Sequence, residues 1–154
     1  MGKQQQLIES ATHWLDDAMT NVDGDVVLTS PYLSTDVCRR VASAATGSAV
    51  SWRVATTLDP SAVAGGYQSV QGMKLLLKAG VQAVHVDRLH AKCFVVGNRA
   101  LLGSANLTGA GLGSSAHPNR ELGVELLADH VEQARAVIAG WPSRVVNLND
   151  LNEL

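Results

Sequence analysis

Apolar and polar positions along this chain follow two periods, and the switches between them mark its elements. Over residues 4–20, Leu7, Ala11, Trp14, Leu15 and Ala18 fall at three- and four-residue spacing, which predicts an amphipathic helix. Asn21 to Gly24 reads as a turn. Residues 25–30 read as a strand, and the run Val26-Val27-Leu28 predicts burial on both its faces, with Pro31 closing it. Ser34 or Thr35 is placed to cap a helix reaching about residue 45. Residues 51–57 follow as a second strand, and 59–66, with Pro60, Gly65 and Gly66, as a loop. A helix over 68–79 stops at Gly80, and residues 81–86 form a third strand. Two apolar runs flank Gly97-Asn98-Arg99, a hairpin turn by composition. A Gly- and Ser-rich loop covers 107–119, a strand 121–127 and a helix 129–139. Residues 145–154 carry no pattern that places them. Strands and helices in alternation predict an α/β fold, a mixed central β-sheet flanked by helices on both faces, with residues 1–154 as a single domain. The hairpin makes the sheet mixed rather than parallel.

Bulk properties narrow the function less than the pattern does. The 154 residues suffice for one buried core, and the hydrophobic 46% and charged 17% are ordinary for a globular chain. A formal charge of −2 excludes a strongly basic nucleic-acid binder, so any such binding rests on a local patch. Arg39, Arg40, Lys74, Arg88, Arg99 and Arg120 are its candidate members. Aromatics make up 4%, which argues against an extensive base-stacking surface. Cys38 and Cys93 both lie in apolar or helical contexts and read as buried free thiols in a reducing compartment. There is no signal-peptide core, no myristoylation motif and no run of transmembrane length, so the expectation is a soluble, cytoplasmic protein without membrane contact.

The polar residues that interrupt the hairpin carry the chemistry. In a strand, residues two apart share a face. His90 and Lys92 therefore project side by side, with Ala91 and Cys93 behind them. Ser104 and Asn106 share the same spacing at the end of the returning strand, so the ribbon brings all four to one point. A neutral imidazole is a nucleophile near pH 7. An ammonium neutralises phosphate oxygens, and a hydroxyl and a carboxamide hydrogen-bond them without adding charge. Such a set could hold a phosphodiester and stabilise the charge that grows on it during attack.

His90-Ala91-Lys92 followed by Gly103-Ser104-Ala105-Asn106 resembles the HxK…GSxN signature of the phospholipase D superfamily. Leu107-Thr108 and Asn119-Arg120-Glu121 resemble the nuclease-type members, some of which carry one such motif per chain. The resemblance is strongest over residues 89–125 and extends more weakly over about 25–140. It implies the phospholipase D-like sandwich fold and catalysis without metal or other cofactor. It implies that one histidine attacks phosphorus to give a phosphohistidine while a second, protonated one serves the leaving oxygen. One motif per chain then implies a homodimer with His90 of each copy at a shared site. DNA is the expected substrate, with a role in restriction or defence. By the same resemblance Glu121 orients the histidine. Ser30 and Tyr32, at the C-terminal end of the first strand where α/β sheets commonly place sites, and Arg120, a member of the candidate basic rim, are expected to bind substrate. Gly97 stands where the family has an aspartate, and the hairpin is one residue short. A catalytically inactive nucleic-acid-binding or dimerisation module is therefore one alternative reading, and a lipid phosphodiesterase is the other.

Three further patterns carry less. His85, Asp87 and His90 are poorly spaced for a metal, because a turn separates the last from the others. Gly109-Ala110-Gly111-Leu112-Gly113 is not a dinucleotide fingerprint, and Gly103-Ser104-Ala105-Asn106 lacks the second glycine of a hydrolase elbow. Trp14, Trp52 and Trp141 are expected in the core.

Overall fold

A computed structural model describes residues 5–154. Eight strands form one sheet in the order β1-β7-β6-β5-β2-β3-β4-β8. In chain order they are β1 (Gln6–Ile8), β2 (Val26–Thr29), β3 (Trp52–Thr56), β4 (Gln82–His85), β5 (Cys93–Val96), β6 (Arg99–Gly103), β7 (Gly123–Glu125) and β8 (Arg144–Val145). The three central strands β2, β3 and β4 run parallel. The other pairs are antiparallel, so the sheet is mixed, as the hairpin implied.

The alternation along the central strands splits the core in two. Val26, Leu28, Trp52, Val54, Ala83, Phe94, Val96 and Leu101 face one side. There they meet the apolar faces of α1 (Ala11–Thr20), α2 (Thr35–Ala45) and α4 (Val70–Lys78). Val27, Cys93, Val95 and Ala100 face the other side and meet Val131 and Ile138 of α6 (Ala128–Gly140). Cys38 and Cys93 are free and buried. Trp14 and Trp52 are buried and Trp141 half-buried.

Several elements depart from the expected pattern. The first helix begins at Ala11, where Ser10 caps it by accepting from the His13 N–H. Residues 6–8, assigned to that helix by their spacing, are instead the edge strand β1, paired with β7. Position 4, where the expected helix began, lies outside the described residues. A five-residue helix, α3 (Pro60–Ala64), interrupts the expected 59–66 loop, with Asp59 as its cap and Pro60 in its first turn. A single turn, α5 (Gly109–Leu112), lies in the glycine-rich segment. The unplaced tail forms β8, which extends the sheet beyond β4, and α7 (Leu148–Asn152). Val146 and Leu151 bury in the larger core, so the tail packs on its own chain. Among the described residues no helix is long and apolar enough to cross a membrane.

Candidate active site

Topology brings the polar residues of the motif to one end of the sheet. β5 runs antiparallel to β2, so the start of β5 meets the end of β2 (Thr29 pairs with Cys93). β6 and β7 are antiparallel in turn, so the end of β6 and the start of β7 lie at that same end (Gly103 pairs with Gly123). His90 and Lys92 precede β5, Ser104 and Asn106 follow β6, and Glu121 precedes β7. Ser30 follows β2. This is also where the strand order reverses, with β3 on one side of β2 and β5 on the other, a location that sheets of this class use for ligands.

Two adjacent hydroxyls at the end of β2 brace both halves of the motif. Thr29, fully buried, donates its Oγ1–H to the Ala91 carbonyl (3.0 Å) and accepts from the Cys93 N–H (2.9 Å). It thus holds the peptide between His90 and Lys92. Ser30, also fully buried, accepts at Oγ from the Leu107 N–H (3.0 Å), and its hydroxyl lies 3.3 Å from Asn106 Oδ1 and 2.6 Å from the Tyr32 carbonyl. Its single proton serves either of these two acceptors, so it sets the position of the Asn106 carboxamide oxygen by contact and leaves the amide N–H groups to donate elsewhere. Gly111 packs against the Asn106 backbone so closely that a Cβ there would lie 2.6 Å from its carbonyl oxygen. Ser30 therefore reaches the motif through Asn106, and a direct substrate contact would need this buried hydroxyl uncovered.

His90 and Lys92 project together, as the alternation expects, although both lie just outside the hydrogen-bonded strand. Lys92 Nζ is 3.2 Å from His90 Nδ1. An ammonium can only donate, so Nδ1 carries the lone pair and the neutral ring has its proton on Nε2. His90 is exposed and Lys92 half-buried. The alternating Leu89 and Ala91 turn inward to Ala55, Val84 and Val86, which orients the loop. Arg88, exposed in the turn before it, has φ +56°, a conformation uncommon for a side chain this large and often held at functional loops.

Ser104 is committed to local structure. Its Oγ accepts from the Leu122 N–H (3.0 Å) and its own N–H donates to the Leu122 carbonyl (3.1 Å). Glu121 lines a small recess together with Lys92, Ser104 and Glu9. Among the described residues no hydrogen bond joins Glu121 to His90, whose Nδ1 faces Lys92 instead. Glu9 was hidden from the pattern because its segment shared the helical spacing of residues 7–18. Arg120 is exposed beside Asn119, whose N–H donates to the Ala110 carbonyl (2.8 Å). Tyr32, exposed, follows Ser30 by two residues.

The expected basic rim is only partly free. Arg40 is paired with Asp16, and Arg99 with Asp17 (2.7 Å) and Glu125 (2.8 Å), stacked over Trp14. Arg99 also stands at the turn end of the hairpin, away from His90. Arg88 and Arg120 are the arginines placed near the motif. His85 Nδ1 accepts from the Leu58 N–H (2.9 Å), which spends one of its ring nitrogens on structure.

No protein-family model and no curated protein sequence matches this chain. Solved structures do. Nuc from Salmonella typhimurium, a phospholipase D family member, superposes with a TM-score of 0.70 at 13% identity, covering 94% of this chain and 99% of Nuc. NucT from Helicobacter pylori gives 0.61 at 13% identity, covering 87% of this chain and 92% of NucT. TrmBL2, an archaeal chromatin protein whose structure shows a novel mode of DNA binding, gives 0.57 at 10% identity over 88% of this chain and 50% of its own. The fold is therefore the phospholipase D-like α/β sandwich, a mixed sheet with helices on both faces.

Proposed function

We propose that this chain is a metal-independent phosphodiesterase that cleaves DNA at a site shared by two copies of itself. The observation that carries the reading is the bracing of Ala91 by Thr29 and of Asn106 by Ser30. Two neighbouring buried hydroxyls hold both halves of the His-x-Lys and Gly-Ser-x-Asn motif at one sheet end. The fold shared with Nuc supports it.

In the proposed reaction Lys92 turns from His90 Nδ1 to the phosphate, and the ring nitrogen it frees attacks phosphorus, forming a P–N bond as the P–O bond to the leaving oxygen breaks. Lys92 and the Asn106 amide bind the non-bridging oxygens as charge builds on them. His90 of the second copy gives its proton to the leaving oxygen, then takes one from the water that displaces the first histidine. Each chain supplies one such histidine, so a two-fold dimer is the simplest complete site. Arg120 offers a second cation to the strand, and Ser104 and Glu121 shape the recess beside Lys92.

Plasmid and single-stranded DNA are to be incubated with wild type and His90→Ala in excess EDTA, with sedimentation run alongside. Cleavage by wild-type dimers alone is expected. DNA binding without cleavage by either protein would instead favour a non-enzymatic binding domain, a reading to which the likeness to TrmBL2 lends weight.

A further inference from the structure

The chain has two tyrosines, and both are exposed at the site's end of the sheet, whereas Phe94, Trp14 and Trp52 are buried. Tyr32 is 38% and Tyr67 60% exposed, and their rings lie against each other with centroids 5.3 Å apart and planes 32° apart. Tyr67 sits between α3 and α4, far from Tyr32 in sequence, so the pairing is a product of the fold.

The pair is built on a rigid seat. Leu33 donates its N–H to the Tyr67 carbonyl (3.1 Å), and the Ser69 N–H returns to the Leu33 carbonyl (2.8 Å). Between them Gln68, only 2% exposed, has all its polar atoms engaged. Its Nε2 lies 3.2 Å from the Pro31 carbonyl, 2.7 Å from the Thr57 carbonyl and 3.2 Å from Thr56 Oγ1, while its Oε1 accepts from the Asp59 N–H (3.1 Å). One buried glutamine thus ties the segment carrying Tyr32 to the segment carrying Tyr67. Gly65 lies under the second ring, where a Cβ would come 3.1 Å from two ring carbons. The Tyr32 carbonyl is 2.6 Å from the Ser30 hydroxyl that also holds Asn106. The platform therefore lies within two residues, at most roughly 7 Å along the backbone, of the residue that contacts Asn106.

We infer that Tyr32 and Tyr67 form a stacking platform for an unpaired nucleobase next to the scissile phosphate, so that the substrate is single-stranded nucleic acid. The inference rests on the proposed phosphodiesterase reading and names its substrate class. An aromatic face held open and preordered beside a phosphate site suits a base, which offers a flat π-face whatever its sequence. Within a duplex both faces of a base are covered by its neighbours, so only an unstacked base can use the platform. The exposed residues of the adjoining segment, Asp59, Pro60, Ser61, Ala64, Gly65 and Gly66, include no long aliphatic side chain, which suits one flat ring better than an acyl chain.

The test measures binding apart from cleavage. In the His90→Ala background, fluorescence anisotropy reads the affinity for a labelled single strand, for the same strand carrying abasic sites, and for its duplex. Tyr32→Ala and Tyr67→Ala are each expected to weaken single-strand binding on the order of 10-fold, with Tyr67→Phe retaining it. The abasic strand and the duplex are expected to bind the parent weakly and to be indifferent to the tyrosine changes. Single-strand affinity unchanged in both alanine variants, or an abasic strand bound as tightly as the intact one, would overturn the inference. Tyrosine-dependent binding together with no cleavage by His90-intact protein would support the platform while removing the hydrolytic reading.

Discussion

Ser30 and Thr29 show how much a buried hydroxyl decides at this site. Each satisfies a backbone N–H and a partner on a segment more than sixty residues away in sequence. Ser30→Ala leaves the Leu107 N–H without its acceptor and releases Asn106, so unfolding free energy should fall by about 1–3 kcal/mol in denaturant titration. Activity should fall more than stability accounts for, because the amide proposed to bind the phosphate loses its orientation. Both residues sit at the end of an apolar strand, where a threonine or serine looks like an ordinary terminus. The sequence shows the motif residues themselves, whose spacing is local, but not the partners that hold them. The two thiols make a separate residue-scale test. Burial, joined at Cys38 by the charge of Asp36, pushes the Cys38 thiol up from 9.0 to about 12, and burial pushes Cys93 up to about 11. The folded state therefore keeps protons that the unfolded state releases above pH 9. Stability contributed by these thiols is complete below pH 9 and is lost as pH rises through the window from 9 to about 12. Thermal melts should show this alkaline decline, and thiol reagents at neutral pH should label both cysteines only on unfolding.

At the scale of elements, the hairpin explains the departure at Gly97. Its φ of +59° lies in the left-handed region, with the two-residue turn joining Val96 to Arg99. The Asp23 carboxylate occupies the space a Cβ would need and accepts from the Asn98 N–H (3.3 Å), while Arg135 donates to the Gly97 carbonyl (2.6 Å). An aspartate at position 97 would bring both strain and like charge. The turn also lies at the other end of β5 from Lys92, about 16 Å away over the length of that strand. The missing aspartate is thus a matter of turn structure. Gly97→Asp should lower the melting midpoint by several degrees, read by circular dichroism, without changing how Lys92 and His90 meet. The hairpin and the central strands were legible because their apolar runs are bounded by turn residues. β1 was not, because Leu7 satisfies helical spacing and only pairing with β7 makes it a strand. The same holds for β8 and α7, which are fixed by the burial of Val146 and Leu151 rather than by any local period.

The whole molecule works by crossing over. β2 continues to β3 on one side, while the hairpin strands β5 and β6 lie on the other, and the recess at the ends of β5, β6 and β7 gathers side chains from residues 9 to 121. That layout follows from an α/β alternation that ends in an antiparallel ribbon, so the fold class was readable in advance. The tyrosine pair was not, since its two halves are distant in sequence and meet only in the fold.

The most direct measurement is a search for the covalent intermediate on His90. Wild-type protein and single-stranded DNA in EDTA are quenched with denaturant at alkaline pH, which preserves a phosphorus–nitrogen bond, and the peptide containing His90 is weighed by mass spectrometry. A nucleotide phosphate on His90 is expected in wild type and none in His90→Ala, which does not cleave. Turnover by His90→Ala at the wild-type rate, or an adduct on another residue, would contradict this expectation.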